Sequence, residues 1–477
     1  MSERGAAARA DRSVSGDPKS NAAPGSASEM GSASEMGNVS YGEVIGNREF
    51  LGIILAQAIS EIGDQIARLA LALIVLDRTG SAFGAAAAFA VSFLPMFLGS
   101  AVLGPIADRL SRRSVMLVAD VSRAALIAFF ALVAVGTTPL WLLFLLLFFA
   151  ELFTPAFDAA RTATIPDVLT DPAECAAGFG LSRTLSLVTQ VVGLVFGGAV
   201  VMLLGPRLGL AVDSVTYIVS FVVLLVMVRP RPAELPGGAS LVSLLSDAKA
   251  GMAAMSGDPA RRGLLMLAVA SSLAVVAPEA LALSYARDVG ASDVAGAALV
   301  SCVVGGAAIG SIMISRRPPH RQIELLLPLA LGCGLVLLLV APQPSLLIVM
   351  PLWVISGALQ AFLVPCMAFM TLLTPSEERG RIAGLSASVW AAATVVSFLI
   401  SGALADLTSP AFAVVLCAAV SLVLVLLATR RWPGRQLLQR VARLVRGDTA
   451  NVSPVEVDDR TVTEAMRDVD DSGFMRR

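Results

Sequence analysis

From Phe50 onward the chain is a succession of apolar runs broken by short polar stretches. Twelve runs stand out, at residues 50–76, 82–107, 114–136, 139–157, 176–204, 207–228, 263–284, 294–315, 323–341, 345–371, 383–405 and 410–429. Each is near the roughly 20 residues that carry an α-helix across about 30 Å of hydrocarbon, and far longer than a barrel strand. The pattern predicts an all-α membrane protein with twelve transmembrane helices.

Arginine placement predicts the orientation. With both termini cytoplasmic, 30 of the 35 Lys and Arg residues fall on cytoplasmic tails and loops or, for Arg183, on the inner end of the fifth run. Only Arg78, Arg207 and Arg287 fall on outer loops, and Arg68 and Arg123 lie inside spans. Such an imbalance marks a multi-pass protein of the cell membrane, plasma or inner, with both ends inside.

The polar stretches divide the chain into five segments. Residues 1–48 are rich in Gly, Ala and Ser and repeat GSASEM at 25–30 and 31–36. That segment buries too little apolar area to offset its ordering entropy, so a disordered cytoplasmic tail is expected. It lacks the hydrophobic stretch of a signal peptide. Residues 49–228 and 263–429 form two six-helix halves, joined by a cytoplasmic linker at 229–262. In that linker Leu241, Leu244, Leu245, Ala248, Met252 and Met255 share one helical face. Residues 430–477 begin with a basic amphipathic helix, Leu437, Leu438, Val441, Leu444 and Val445 on one side, and turn acidic and disordered beyond Gly447. Both amphipathic helices are expected on the inner membrane surface, where basic residues favour anionic lipid. A solvated or partner-bound helix is the alternative.

Composition supports the membrane reading. Charged residues make up 15% of the chain and hydrophobic ones 56%, against about 25% and 45–50% in soluble domains. The cysteines (Cys175, Cys302, Cys333, Cys366 and Cys417) are scattered without metal-ligand spacing, four of them in apolar runs. A single histidine, His320, follows two prolines in a basic turn. Neither a metal site nor a histidine-based catalytic group is expected.

The two halves carry signs of duplication. LSRR at 110–113 returns as ISRR at 314–317, and GLS at 180–182 returns at 384–386, both offset by 204. LTDPAE at 169–174 matches LTPSE at 373–377 with a one-residue slip. Each proline–glutamate unit reads as a helix start, with Asp171 or Thr374 as N-cap and Pro172 or Pro375 in the first position.

Between the second and third runs stands Gly104-Pro-Ile-Ala-Asp108-Arg109-Leu-Ser111-Arg112-Arg113. This stretch, with the twelve spans and the central loop, resembles the major facilitator superfamily of secondary transporters over about residues 50–430. The family pattern in that turn is G-x-x-x-D-(R/K)-x-G-R-(R/K), from which only Ser111 departs. The resemblance implies that Gly104, Asp108, Arg109, Arg112 and Arg113 latch the inner ends of the halves together in the outward-open state, against the start of span 11 at SEERGRIAG. Arg161, just beyond span 4 on the inner side, is assigned to this latch or to lipid contact. The arginines also set topology by charge alone. A second family feature, G-P-x-x-G-G in exporters, is met here as Gly193-Leu-Val-Phe-Gly197-Gly198, with Leu194 in place of proline; close helix packing accounts for those glycines equally well. Similarity in SEIGDQIARLAL, DAARTATIPDVL and APEALALSYARDVG points to the bacterial drug and siderophore exporter branch.

Ionisable groups inside a span cost a few kcal/mol, about 2.5–3.5 on insertion scales, and are functional candidates by default. Glu61, Asp64 and Arg68 lie three and four apart on one face of the first span. Asp64 falls about 20 Å beyond Phe50, near the midplane. Glu151 is central in span 4, and Glu279 follows Pro278 in the outer half of span 7. These carboxylates are candidates for protons or a cationic substrate, since carriers bind near the midplane and apolar surroundings favour protonated carboxyls. Arg68 alternatively neutralises Asp64 or Glu61 or pairs with Asp213. Asp120 and Arg123, three apart in span 3, are expected to form a local ion pair.

The function implied is export of small amphipathic molecules (drug-, antibiotic- or siderophore-like) by alternating access, driven by proton antiport. No G-x-x-x-x-G-K-[ST] stretch is present for an ATP-driven pump. An importer or uniporter of a metabolite is the first alternative, a non-transporting membrane sensor or scaffold the second, and no enzyme is expected. Expected partners are a small-molecule substrate, protons and membrane lipid, with no nucleic acid; no cofactor or metal is required, and the chain is expected to act as a monomer.

Overall fold

Apolar runs of this length can satisfy their backbone groups in hydrocarbon only as helices, and the chain folds accordingly. The computed structural model describes residues 41–107, 111–231, 257–374, 379–430, 432 and 434–445. They form α1 (Tyr41–Gly46), α2 (Arg48–Thr79), α3 (Ala82–Ala107), α4 (Arg112–Val133), α5 (Leu140–Glu151), α6 (Thr154–Val168), α7 (Pro172–Leu204) and α8 (Pro206–Met227). After the linker come α9 (Pro259–Asp288), α10 (Asp293–Ser315), α11 (Pro319–Leu338), α12 (Leu346–Leu359), α13 (Leu363–Leu372), α14 (Arg379–Leu407), α15 (Pro410–Thr429) and α16 (Gly434–Val445). No strand occurs among the described residues.

Ten described segments are long and apolar enough to cross a membrane, counting α5 with α6 and α12 with α13 as one each. The twelve-run reading adds α2 and α3. α2 has 32 residues, enough for about 48 Å of helix, but carries Glu61, Asp64 and Arg68 mid-length. α3 has 26 residues.

Local chemistry sets the helix ends. The Asn47 side chain accepts from the backbone N–H groups of Glu49 and Phe50, and Gly80, in the left-handed region, closes α2. Asp171 accepts from Ala173 and Glu174 ahead of Pro172, as the sequence predicts. The expected counterpart at Thr374 leads into residues outside those described; the Thr374 hydroxyl itself donates to Met370 O at 2.7 Å. The break between α5 and α6 follows from Pro155, which has no N–H to donate to the Glu151 carbonyl. The corresponding helix of the second half also breaks, at a single 3-10 turn, Gln360–Phe362.

Helices α2–α8 pack chiefly on one another, as do α9–α15, and the groups meet along α3 with α14 and α7 with α10. α3 and α14 run antiparallel: Phe89 and Phe93 stack on Phe398, while Gly402 abuts Phe83 and Ala86. The end of the bundle that holds the start of α2 and α9 is termed the near end, and the opposite one the far end.

The structure revises one expectation from sequence, and three segments fall outside the described residues. On α16, two residues of the face expected at lipid pack on the protein instead: Leu437 and Val441 are buried in its own core, and Arg440 donates to Asp258 at 2.7 Å, the residue that caps α9. Burial against helix ends removes the same apolar area from water as lipid would. The N-terminal tail to residue 40, the linker face at 241–255 and the acidic tail lie outside the described residues.

Candidate functional site

The first half concentrates ionisable groups in its interior. α2 supplies three of them, and the helical turn sends each to a different neighbour. Glu61 faces α7: Ser186 donates to its Oε1 at 2.7 Å and Thr189 to its Oε2. Gln57, one turn earlier, donates to the same Oε1 at 2.9 Å and to Ser186 at 2.6 Å. Asp64 faces α8 and accepts from the Tyr217 hydroxyl. Arg68 reaches α5, where its Nε–H donates to Glu151 Oε1 at 3.0 Å.

This last contact corrects the expectation for Arg68. It pairs with neither Asp64, Glu61 nor Asp213, because the helix break places Glu151 within its reach. Thr154, opening α6, donates to the other Glu151 oxygen at 3.1 Å, so both carboxylate oxygens are engaged. The Arg68 guanidinium also stands 5.8 Å from the Phe93 ring centre. Glu151 is 4% exposed, so this pair is held away from solvent.

Across the boundary, Glu279 on α9 lies within the electrostatic reach of Arg68. Its carboxylate makes no hydrogen bond or ion pair among the described residues. The flanking buried polar groups of the second half are hydroxyls and an amide: Ser272 accepts from Ser397 at 2.9 Å and Gln360 donates to Val275 O at 3.2 Å. Arg68, paired with Glu151 on one half, thus lies within electrostatic reach of a carboxylate on the other that has no bonded partner among the described residues.

Asp120 and Arg123 form the expected ion pair, at 2.8 Å, deep in the first half. Ser220 donates to the second Asp120 oxygen at 2.6 Å. The Arg123 guanidinium stands over the rings of Phe157 and Tyr217, 4.7 and 4.5 Å from their centres. Two aromatic quadrupoles this close to a buried cation replace part of its lost hydration. Asp213 is buried on α8 beside Gly63; Thr216 donates to one oxygen at 3.2 Å, and the other has no hydrogen-bond partner among the described residues.

The latch residues divide. Asp108 and Arg109 lie outside the described residues, as does part of SEERGRIAG, and Gly104 is described only as part of α3. Arg112 donates to Ala163 O and Asp167, at 2.6 and 2.5 Å, and Arg113 to Leu225 O at 2.7 Å. Arg161 donates to Gln57 and Ser182, at 2.5 and 2.6 Å, and pairs with Asp158 at 3.2 Å. All of these partners lie within the first half. Gly193 and Gly197 admit α2: a Cβ on Gly193 would stand 3.0 Å from Ile62 Cα. Gly198 instead faces the second half, 2.5 Å from the Ala297 methyl if it carried a Cβ.

Sequence reading missed Tyr217, one of three tyrosines in the chain and the partner of Asp64. It lies four residues after Asp213, on the same helical face of an apolar run, which was a usable signal. Ser186 and Thr189 left no such signal, since hydroxyls are common within membrane helices.

Two helical groups that enclose buried charges at their boundary have the build of a multi-pass membrane carrier. Residues 53–371 match the description Major Facilitator Superfamily, and the chain belongs to that superfamily; it is a transporter of small-molecule substrate, not an enzyme. It is similar to the multidrug efflux pump Tap of Mycobacterium tuberculosis, 25% identical over 373 residues that span 74% of this chain and 86% of the relative. The Mycolicibacterium fortuitum pump of the same name is 26% identical over 369 residues, 74% of this chain and 88% of the relative. Macrolide efflux protein A of Streptococcus pyogenes is 28% identical over 149 residues, 30% of this chain and 36% of that protein. Among solved structures, the nucleoside transporter NupG aligns over 81% of this chain and 99% of its own, at 14% identity and TM-score 0.63. A POT family transporter in complex with 5-aminolevulinic acid aligns over 81% and 96%, at 13% identity and TM-score 0.64. The last two likenesses are of fold.

Proposed function

We propose that the protein exports small amphipathic compounds, cationic ones among them, in exchange for protons. The observation that carries the reading is the Arg68–Glu151 pair with Glu279 within electrostatic reach of Arg68, and the likeness to relatives named as efflux pumps is its support. Glu279 offers a negative contact to a cation arriving between the halves. A proton on Glu151 would weaken its hold on Arg68 and free the guanidinium to turn toward Glu279. Substrate cation and proton would then compete for the same carboxylates, which is the coupling that antiport requires. Asp64, donated to by Tyr217, is the second candidate proton carrier, and Glu61 with Gln57 and Arg161 the polar wall toward α7.

The near end faces the cytoplasm on this reading. The far-end segments hold Arg78, Arg207 and Arg287, and most other arginines lie on tails and connections of the near end. The halves at 49–228 and 263–429 rock about the site between them, the latch at 104–113 closing when the near end shuts, and the carrier acts as a monomer in the cell membrane. Among the described residues every hydrogen bond or ion pair between the halves lies at the far end. Arg113 and Arg161 donate to partners in their own half.

The test uses inside-out membrane vesicles carrying an imposed pH gradient. Cationic dyes, macrolides and siderophores are added to vesicles with the wild-type protein, Asp64→Asn, Glu151→Gln or Glu279→Gln. Dissipation of the gradient by a compound only with wild type supports proton-coupled export, and the silent variant names the coupling carboxylate. Labelled substrate that runs only down its own gradient, with no proton movement, overturns the reading in favour of uniport or import.

A further inference from the structure

We propose that Asp406 and Arg287 form a far-end latch, in which Asp406 caps the N-terminus of α3 across the boundary between the halves. Asp406 is the penultimate residue of α14, in the second half. Its Oδ2 accepts from the Ser81 hydroxyl at 2.5 Å and its Oδ1 from the Ala82 backbone N–H at 2.6 Å. Ser81 in turn accepts from the Gly84 N–H at 3.0 Å. The first turn of α3 is therefore capped jointly by its own serine and by a carboxylate from the opposite half.

A helix N-terminus exposes unpaired N–H groups and a partial positive charge, and an aspartate satisfies both. Supplying that aspartate from another half makes the cap conditional on the halves being together. Beside it, Arg287 at the end of α9 donates to Asp77 of α2 at 2.5 Å, and to Asp293 of α10 at 2.7 and 3.0 Å. The latch thus has two independent contacts. Beneath them lie the Gly402 approach to Phe83 and the Phe89–Phe398 stack, which close the seam mechanically.

The inference needs only alternating access and holds for either direction of transport.

The test measures far-end opening in the full chain, reconstituted in nanodiscs, by electron spin–spin distance distributions. Labels go on cysteines at Trp141 and Leu347, exposed far-end positions on opposite halves that touch neither latch contact. The five native cysteines are replaced by alanine. Loss of a cap of ordinary strength changes an equilibrium roughly fivefold, so Asp406→Ala is expected to raise the ratio of long to short distances by about that factor. Asp406→Asn, which still accepts a hydrogen bond but lacks the charge, is expected to fall between. Arg287→Gln is expected to move the ratio the same way. Should the alanine variant fail to fold, the asparagine and Arg287 variants, with Ser81→Ala, decide the matter. Unchanged ratios in the variants that fold overturn the latch.

Discussion

Arg68 donates to Glu151 at 3.0 Å, joining the middle of α2 to the break between α5 and α6. Two charges so enclosed stabilise one another only as a pair, and removal of one partner from a buried pair costs about 3–5 kcal/mol. Glu151→Gln is therefore expected to lower the thermal unfolding temperature in detergent, as is Arg68→Gln. The double variant should recover most of the loss, because no uncompensated charge remains. It should also stay inactive in proton-coupled transport. Full activity in the stable double variant would assign the pair to structure alone.

Glu279 presents the opposite balance. Among the described residues it has no hydrogen-bonded or ion-paired partner to lose, so Glu279→Gln is expected to leave the unfolding temperature close to wild type. Its effect should fall on transport of cations, whereas neutral amphipathic compounds continue to move. Paired uptake assays in vesicles, one with a cationic dye and one with an uncharged substrate, separate the outcomes. Equal loss for both compounds would make Glu279 a coupling group and not a charge contact for substrate.

What the sequence disclosed of this architecture was local. Apolar runs gave the helices and their order, and Asp171-Pro172 gave a helix start to the residue, because capping needs only neighbours in sequence. Asp120 and Arg123 paired as expected for the same reason, three residues apart. Arg68 did not, since Glu151 is 83 residues away and comes within reach only through a break that Pro155 imposes. Asp406 is more opaque still: an aspartate near the end of an apolar run reads as a solvated helix end, and its partner Ser81 is 325 residues distant. The face of α16 was visible but its occupant was not, as lipid and protein core ask for the same leucines and valines.

Arg123 is expected to be the most costly interior cation to remove. It is 1% exposed, bonded to Asp120 and close to the rings of Phe157 and Tyr217. Arg123→Leu would leave the Asp120 carboxylate with Ser220 as its remaining hydrogen-bond donor, at a cost of about 3–5 kcal/mol. Asp120→Asn with Arg123→Leu should recover part of that. Membrane yield and unfolding temperature report the difference, and a single variant as stable as wild type would contradict the buried-pair account.

Gly198 meets the second half where α7 passes α10, and even a methyl there would fall 2.5 Å from the Ala297 Cβ. No flexible side-chain end is available to move aside; relief requires the helices to part. Gly198→Leu is therefore expected to hold the far-end seam open without unfolding either half, since Gly193 and Gly197, which seat α7 on α2, remain. The outcome to measure is a loss of transport with substrate binding retained, together with a longer distance between labels at Trp141 and Leu347. Ala297→Gly in the same chain removes the opposing methyl and should restore part of the transport. A double variant no more active than Gly198→Leu alone would place the obstruction elsewhere on α7.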